Sequence, residues 1–132
     1  MLFYVASGLQ NSAKAKEIIN MLESMGHECA YNWTKHNDVR SEGPERMTDV
    51  AYFESTAVKY AELVVVLLPG GAGTHTELGM AIASKTNKRI IIWSETGAHF
   101  ASDSNTCVFY FHSTVERITG SIEVLRDFLK NV

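Results

Sequence analysis

The sequence predicts an α/β fold: a small doubly wound (Rossmann-like or flavodoxin-like) five-stranded parallel sheet with helices on both faces. Three observations lead there. Short apolar runs alternate along the chain with stretches whose apolar residues recur at helical spacing. The run from Leu63 to Leu68 is apolar at every position, as a strand covered by helices on both faces requires. The chain has 132 residues, of which 45% are hydrophobic and 20% charged, which suits a single globular domain over residues 1–132.

Taken in order, Leu2 to Ala6 reads as a buried strand that ends at Ser7-Gly8. Asn11 or Ser12 caps a helix whose apolar positions are Ala15, Ile18, Ile19, Leu22 and Met25, and Gly26 ends it. Glu28 to Trp33 is the second strand, and the polar stretch from Thr34 to Arg46, containing Gly43-Pro44, is a loop. Met47 to Tyr60 is the second helix and Leu63 to Leu68 the central strand. Pro69 to Gly73 is a tight loop before a third helix, Thr74 to Lys85. Arg89 to Trp93 is the fourth strand, Ser94 to Asn105 a polar loop and Cys107 to Phe111 the fifth strand. Ser121 to Lys130 closes the chain as a helix with Ile122, Leu125, Phe128 and Leu129 inward. In such a sheet, ligands bind beyond the carboxyl ends of the strands, where the strand order reverses.

Composition excludes several classes of function. Twelve Lys and Arg against fifteen Asp and Glu leave a net charge of -3, the wrong sign for a general nucleic-acid binder. The longest apolar run, Leu63 to Pro69, is far too short to span a bilayer, so no membrane partner is expected. The start, MLFYVASG, lacks the basic residues and long apolar stretch of a signal peptide. Cys29 and Cys107 stand far apart in apolar contexts and read as buried free thiols, with no CxxC and no closely spaced His/Cys set for a metal. A cytoplasmic location is the expectation.

The segment that carries chemistry is Leu68-Pro69-Gly70-Gly71-Ala72-Gly73-Thr74-His75-Thr76-Glu77-Leu78-Gly79. Its glycines uncover backbone N–H groups, and the start of the following helix adds unsatisfied donors and partial positive charge, a nest for an anion or a sugar. It is neither a P-loop nor a G-x-G-x-x-G turn. Glu77 has two compatible readings: the N3 member of a capping box with Thr74 at the N-cap, or a carboxylate aimed at an anomeric carbon. Glu54 breaks the apolar stripe Met47, Val50, Ala57, Val58 and Ala61; it is either on the wet edge of that stripe or functional.

The stretch VVVLLPGGAGTHTELGMAIA, with FYVASG at the start, GHECAYNW, AELVVVLL and the terminal Phe111-His112…Val115-Glu116-Arg117…Gly120-Ser121, resembles the nucleoside 2-deoxyribosyltransferase-like family over most of the chain. The resemblance implies that Glu77 is the nucleophile in cleavage of an N-glycosidic bond. It makes Glu54, eight positions before Glu62, the counterpart of an aspartate that bonds the nucleobase. It also makes Tyr4 the hydroxyl that bonds the nucleophile, with Phe3 as the alternative register. Ser7 and Gly8 then fall at the sugar side, while Gly70, Gly71, Gly73 and Thr74 form the substrate cradle. His75 and Trp33 are expected as substrate contacts, against the plainer readings of a capping histidine and a packing tryptophan. His36, Arg40 and Arg46 are expected in a lid. Some of the family's transferases carry a second acid six residues before the nucleophile, where this chain has Gly71.

The resemblance further implies no cofactor, a small-molecule nucleoside or nucleotide as partner, and a homo-oligomer, dimer or higher. Pro-Gly-Gly-x-Gly-Thr-x-x-Glu at positions 69–77 is also similar to the signature of lonely-guy type phosphoribohydrolases, although their earlier Gly-Leu-Met-Gly segment is missing here. Three functions therefore stand: a nucleoside or nucleotide N-glycosidase or deoxyribosyltransferase, a phosphoribohydrolase of nucleoside 5'-monophosphates, and a non-catalytic nucleotide-sensing module.

Overall fold

Five parallel strands in the order β2-β1-β3-β4-β5 make the central sheet. The computed structural model describes residues 1–84, 87–103 and 106–132. The strands are β1 (Leu2–Ser7), β2 (Glu28–Cys29), β3 (Leu63–Leu67), β4 (Arg89–Ser94) and β5 (Val115–Thr119). The helices are α1 (Ser12–Ser24), α2 (Pro44–Tyr60), α3 (Ala72–Ala83) and α4 (Ile122–Leu129). Helices α1 and α4 pack together on one face, and α2 and α3 on the other. The predicted doubly wound α/β class holds, in its flavodoxin-like order. No helix among the described residues is long and apolar enough to cross a membrane.

The core follows from the strand sequences. All five residues of β3 are buried, and β4 contributes Ile90, Ile91, Ile92 and Trp93. Tyr4 pairs with Val64 and Val5 with Val65, so β1 and β3 run in register to their carboxyl ends. Of the stripe expected on α1, Ala15, Ile18, Ile19 and Leu22 are buried, whereas Met25 lies past the helix end and is exposed. On α4, Leu125 and Leu129 are buried, with Ile122 and Phe128 half-buried against the core. Ser121 caps α4 by accepting from the Val124 N–H. Lys88 donates to the carbonyls of Val58, Lys59 and Ala61 at 3.0, 3.1 and 2.5 Å, satisfying the end of α2.

Several boundaries differ from the sequence expectation, each for a local reason. β2 stops at Cys29 rather than Trp33, because Asn32 accepts from the Thr34 N–H at 3.1 Å and starts a short 3-10 turn. Helix α2 starts at Pro44, not Met47: Gly43, at φ 95°, precedes a proline whose missing N–H costs nothing at a first helical position. Helix α3 starts at Ala72, not Thr74, and its expected end at Lys85 lies outside the described residues. The end of the expected Ser94–Asn105 loop also lies outside them.

Cys107–Phe111 is not a strand; Val108–Phe111 is a 3-10 turn with Val108, Phe109 and Phe111 exposed. The fifth strand is the more polar Val115–Thr119. Arg89 on β4 clamps Glu116 on β5 through two hydrogen bonds of 2.6 and 2.9 Å, a cross-strand pair at the sheet edge. Cys29 and Cys107 are unpaired but half-buried rather than fully buried, and burial pushes the Cys29 thiol up to about 11.

The core makes a direct prediction. Ile91→Ala, at the fully buried centre of β4, should lower unfolding free energy by about 2–5 kcal/mol, read from the urea midpoint by circular dichroism.

Candidate active site

Strand order reverses between β1 and β3, and an open cleft of about 520 Å³ lies at their carboxyl ends. β1, α2 and α3 each send one ionisable side chain into it: Tyr4, Glu54 and Glu77. The Tyr4 hydroxyl donates to Glu77 Oε2 at 2.5 Å. The carboxyls of Glu54 and Glu77 hydrogen-bond one another. Of the two registers open for β1, it is Tyr4 that meets Glu77, while Phe3 is buried in the core. Glu54 is half-buried and faces the cleft, not the wet edge of its helix.

The capping-box reading of Glu77 does not hold. Thr74 already lies inside α3, Gly71 is the N-cap, and Glu77 sits in the second turn with its carboxyl on Tyr4 and Glu54. Glu77 is only 8% exposed. Burial is the largest influence on it and pushes its carboxyl up to about 8; the Tyr4 hydrogen bond opposes that rise, and Glu54 adds to it. Burial also raises the Glu54 carboxyl, with His36 and the Glu77 hydrogen bond working the other way. Burial, then the charges of Glu77 and Glu54, hold the Tyr4 phenol far above its ordinary value, so Tyr4 is a fixed donor. Two carboxyls in contact titrate as a pair, with one proton shared between them.

The glycine loop shapes the opposite wall. A Cβ on Gly70 would stand 2.4 Å from the Thr74 side chain, so this close turn over buried Thr74 requires glycine. At Gly71 and Gly73 a Cβ would meet nothing within 4 Å; both line the cleft and leave room there. No side chain caps α3, so its first N–H groups stay available beside that space. The loop is held from behind by Asn11, whose Nδ2 donates to the Pro69 carbonyl at 3.1 Å.

The remaining expected residues divide. Ser7, Gly8 and Trp33 line the cleft. The Ser7 hydroxyl donates to the Leu67 carbonyl at 2.7 Å, and the Trp33 Nε1–H donates to the Val5 carbonyl at 2.6 Å, which locks the indole as wall. His75 does not line the cleft. Its Nδ1 stands 2.7 Å from the Gly71 carbonyl and its Nε2 2.6 Å from the Tyr110 hydroxyl, so it braces the start of α3 against the Val108–Phe111 turn. His36 and Arg40 line the cleft, whereas Arg46 lies 3.9 Å from Glu42 outside it. Asp38 is also at the cleft, paired with Arg40 at 2.9 Å. Asn11 was legible only as a helix cap, and nothing in its neighbours announces the contact with Pro69. Among the described residues, no group of three or more His, Cys, Asp and Glu side chains is placed to hold a metal ion.

The fold and the cleft together define a flavodoxin-like α/β protein with two adjoining carboxyls, one buried and one half-buried, at its switch point. A solved structure of the same fold is that of Clostridium botulinum CMP N-glycosidase, BcmB. The match has a TM-score of 0.67 and 19% sequence identity, and covers 98% of this chain and 99% of that one. No protein-family model matches the chain, and no curated protein sequence does. The shared fold agrees with the family that the sequence resembles.

A carboxyl with a raised folded-state value holds its proton more tightly in the native protein. Its contribution to stability is complete below the unfolded value and is lost as pH climbs through the folded value near 8. Glu77→Gln keeps an acceptor for Tyr4 and offers Glu54 a donor. It should therefore raise the melting temperature at pH 8–9, by roughly 2–4 °C, and change it little at pH 5. Calorimetry at the two pH values checks this.

Proposed function

We propose that the protein hydrolyses the N-glycosidic bond of a nucleoside 5'-monophosphate or (deoxy)nucleoside, with Glu77 as nucleophile. The observation that carries this reading is the buried Glu77 carboxyl, held by Tyr4 and in contact with a second carboxyl at the mouth of the cleft. The fold shared with a CMP N-glycosidase supports it.

In this reading, the proton that Glu77 gives up has an acceptor beside it. One transfer to Glu54 produces a carboxylate nucleophile and a loaded acid together. Glu77 attacks C1', and the bonding pair of the C1'–N bond leaves with the base. Glu54 supplies the proton that the base takes up. A glycosyl ester to Glu77 remains. Water then attacks C1', Glu54 accepts its proton, and the sugar leaves with retained stereochemistry. Tyr4 holds the Glu77 oxygen that is not attacking and favours its charged form. The open N-terminus of α3, beside Gly71 and Gly73, suits a phosphate or sugar hydroxyl. Gly71 leaves space where some of the transferases that the sequence resembles carry an acid, which favours water over a second base as acceptor.

The test is mass spectrometry of wild type and variants on nucleoside 5'-monophosphates and deoxynucleosides, each with and without a free acceptor base. Free base and sugar product are expected, and Glu77→Gln should cut the rate on the order of a thousandfold or more. A swapped nucleoside would make the protein a transferase. Binding without turnover across the panel would overturn the enzymatic reading and leave a sensor. Tyr4→Phe should cost about a hundredfold. Because the Tyr4 hydrogen bond lowers the Glu77 value, the pair should hold its last proton to higher pH in that variant, and the falling limb of the kcat/KM–pH profile should move upward.

A further inference from the structure

His75 stands outside the cleft and yet holds part of its wall. Gly71 is the N-cap of α3 and lines the cleft with Gly70, Ala72 and Gly73. An N-cap side chain ordinarily locks a helix start by accepting from its first N–H groups. Gly71 has no side chain to do so, and a Cβ there would meet nothing within 4 Å. The Gly71–Ala72 peptide therefore has neither a cap nor a packed side chain of its own to fix it.

The lock comes from the other side of that peptide. The Gly71 carbonyl accepts from the His75 backbone N–H at 3.2 Å and from the His75 ring at 2.7 Å. A carbonyl only accepts, so Nδ1 carries the hydrogen, and Nε2 of the neutral ring accepts from the Tyr110 hydroxyl at 2.6 Å. Tyr110 is buried, meets Phe100 edge-to-face at 5.9 Å, and its carbonyl accepts from Arg117 at 3.0 Å. One nitrogen of the His75 ring is thus anchored in the body of the protein, and the other grips the wall. Across a trans peptide the C=O and N–H point in opposite directions. Holding the Gly71 carbonyl into α3 turns the Ala72 N–H away from the helix, and both residues line the cleft.

We propose that His75 is a positioning residue: its Nδ1–H keeps the Gly71–Ala72 peptide in one orientation, so that the glycine wall is already set when a nucleotide enters. This rests on reading the cleft as a nucleotide site. A wall free to turn is competent only part of the time, and apparent affinity falls by that fraction. Tyr4, Glu54 and Glu77 hold one another without His75, so the loss falls on binding and not on the chemical step.

Two substitutions separate the two ends of the ring. His75→Asn keeps an amide N–H near the position of Nδ1 and gives up Tyr110. His75→Gln reaches the position of Nε2 and gives up Gly71. Affinities for cytidine, uridine, adenosine and guanosine 5'-monophosphates are measured by titration calorimetry in the Glu77→Gln background, so that none is consumed. For whichever binds, His75→Gln should weaken binding about tenfold, as when roughly one molecule in ten has its wall set, and His75→Asn should stay within about threefold. With Glu77 intact, the same split should appear in KM, at a kcat changed by less than about threefold. A long-range proton–nitrogen NMR spectrum of wild type should place the ring hydrogen on Nδ1. The Gly71 and Ala72 amide signals, single in wild type and in His75→Asn, should double or broaden in His75→Gln.

A ring hydrogen on Nε2, unchanged binding in both variants, or binding lost as much in His75→Asn as in His75→Gln overturns the inference. The last outcome would reduce His75 to a brace for the Val108–Phe111 turn. The NMR signals need no ligand, so the two readings separate. If no nucleotide binds, the glycosidase reading falls and the spectra alone decide the role of His75. Turnover with wild-type KM and single amide signals in His75→Gln does the reverse.

Discussion

The contact of the Glu54 and Glu77 carboxyls under the Tyr4 hydroxyl constrains everything around it. Two acids cannot be brought together out of water unless a proton, a donor or both are supplied. β1 supplies the donor, because its register with β3 sets Tyr4 beside the start of α3. The glycine loop supplies the turn that lets α3 begin early enough for Glu77 to face β1 rather than its own N-terminus. Helix α2 supplies the second acid on an otherwise apolar side, between Val50 and Val58.

The neighbouring contacts separate a rigid part of the cleft from an adaptable one. Asn11 on Pro69, Trp33 on Val5, Ser7 on Leu67 and His75 on Gly71 each tie a side chain to main chain, and each fixes a piece of wall without offering chemistry. Arg40 and Asp38 pair with each other at the surface, in a segment built from 3-10 turns. Precision is concentrated around the three ionisable groups, and the outer rim is held mainly by local turns.

How much of this the chain discloses in advance depends on periodicity. β1, β3, β4 and the faces of α1 and α4 were legible because burial imposes a repeat on their apolar residues. Of the edge strands, β2 was read from its true start but not its end, and β5 was missed. β2 is two residues long, and β5 alternates polar residues whose partner is Arg89 on another strand. The apolar Cys107–Phe111 run suggested a strand but forms a turn, since apolar composition alone carries no direction. At the site, Tyr4, Glu54 and Glu77 could be named from residue type and resemblance, yet their mutual contact is a property of three elements meeting. His75 was misplaced because spacing from Glu77 says nothing of where its ring finds partners. His36 and Asn11 lie in or beside loops, where no repeat signals the direction of a side chain.

The donor and acceptor of the central hydrogen bond, Tyr4 and Glu77, are 73 residues apart in the chain. Closing so long a loop is entropically unfavourable until β1 has found β3 and α3 has docked over both. During refolding, helices form from local sequence while the acid pair is still solvated and titrates as two ordinary carboxyls. The proton that the native pair retains is taken up only when the sheet closes over it. The equilibrium between folded and unfolded chain is thus coupled near neutral pH to the proton concentration of the medium, through the raised Glu77 carboxyl.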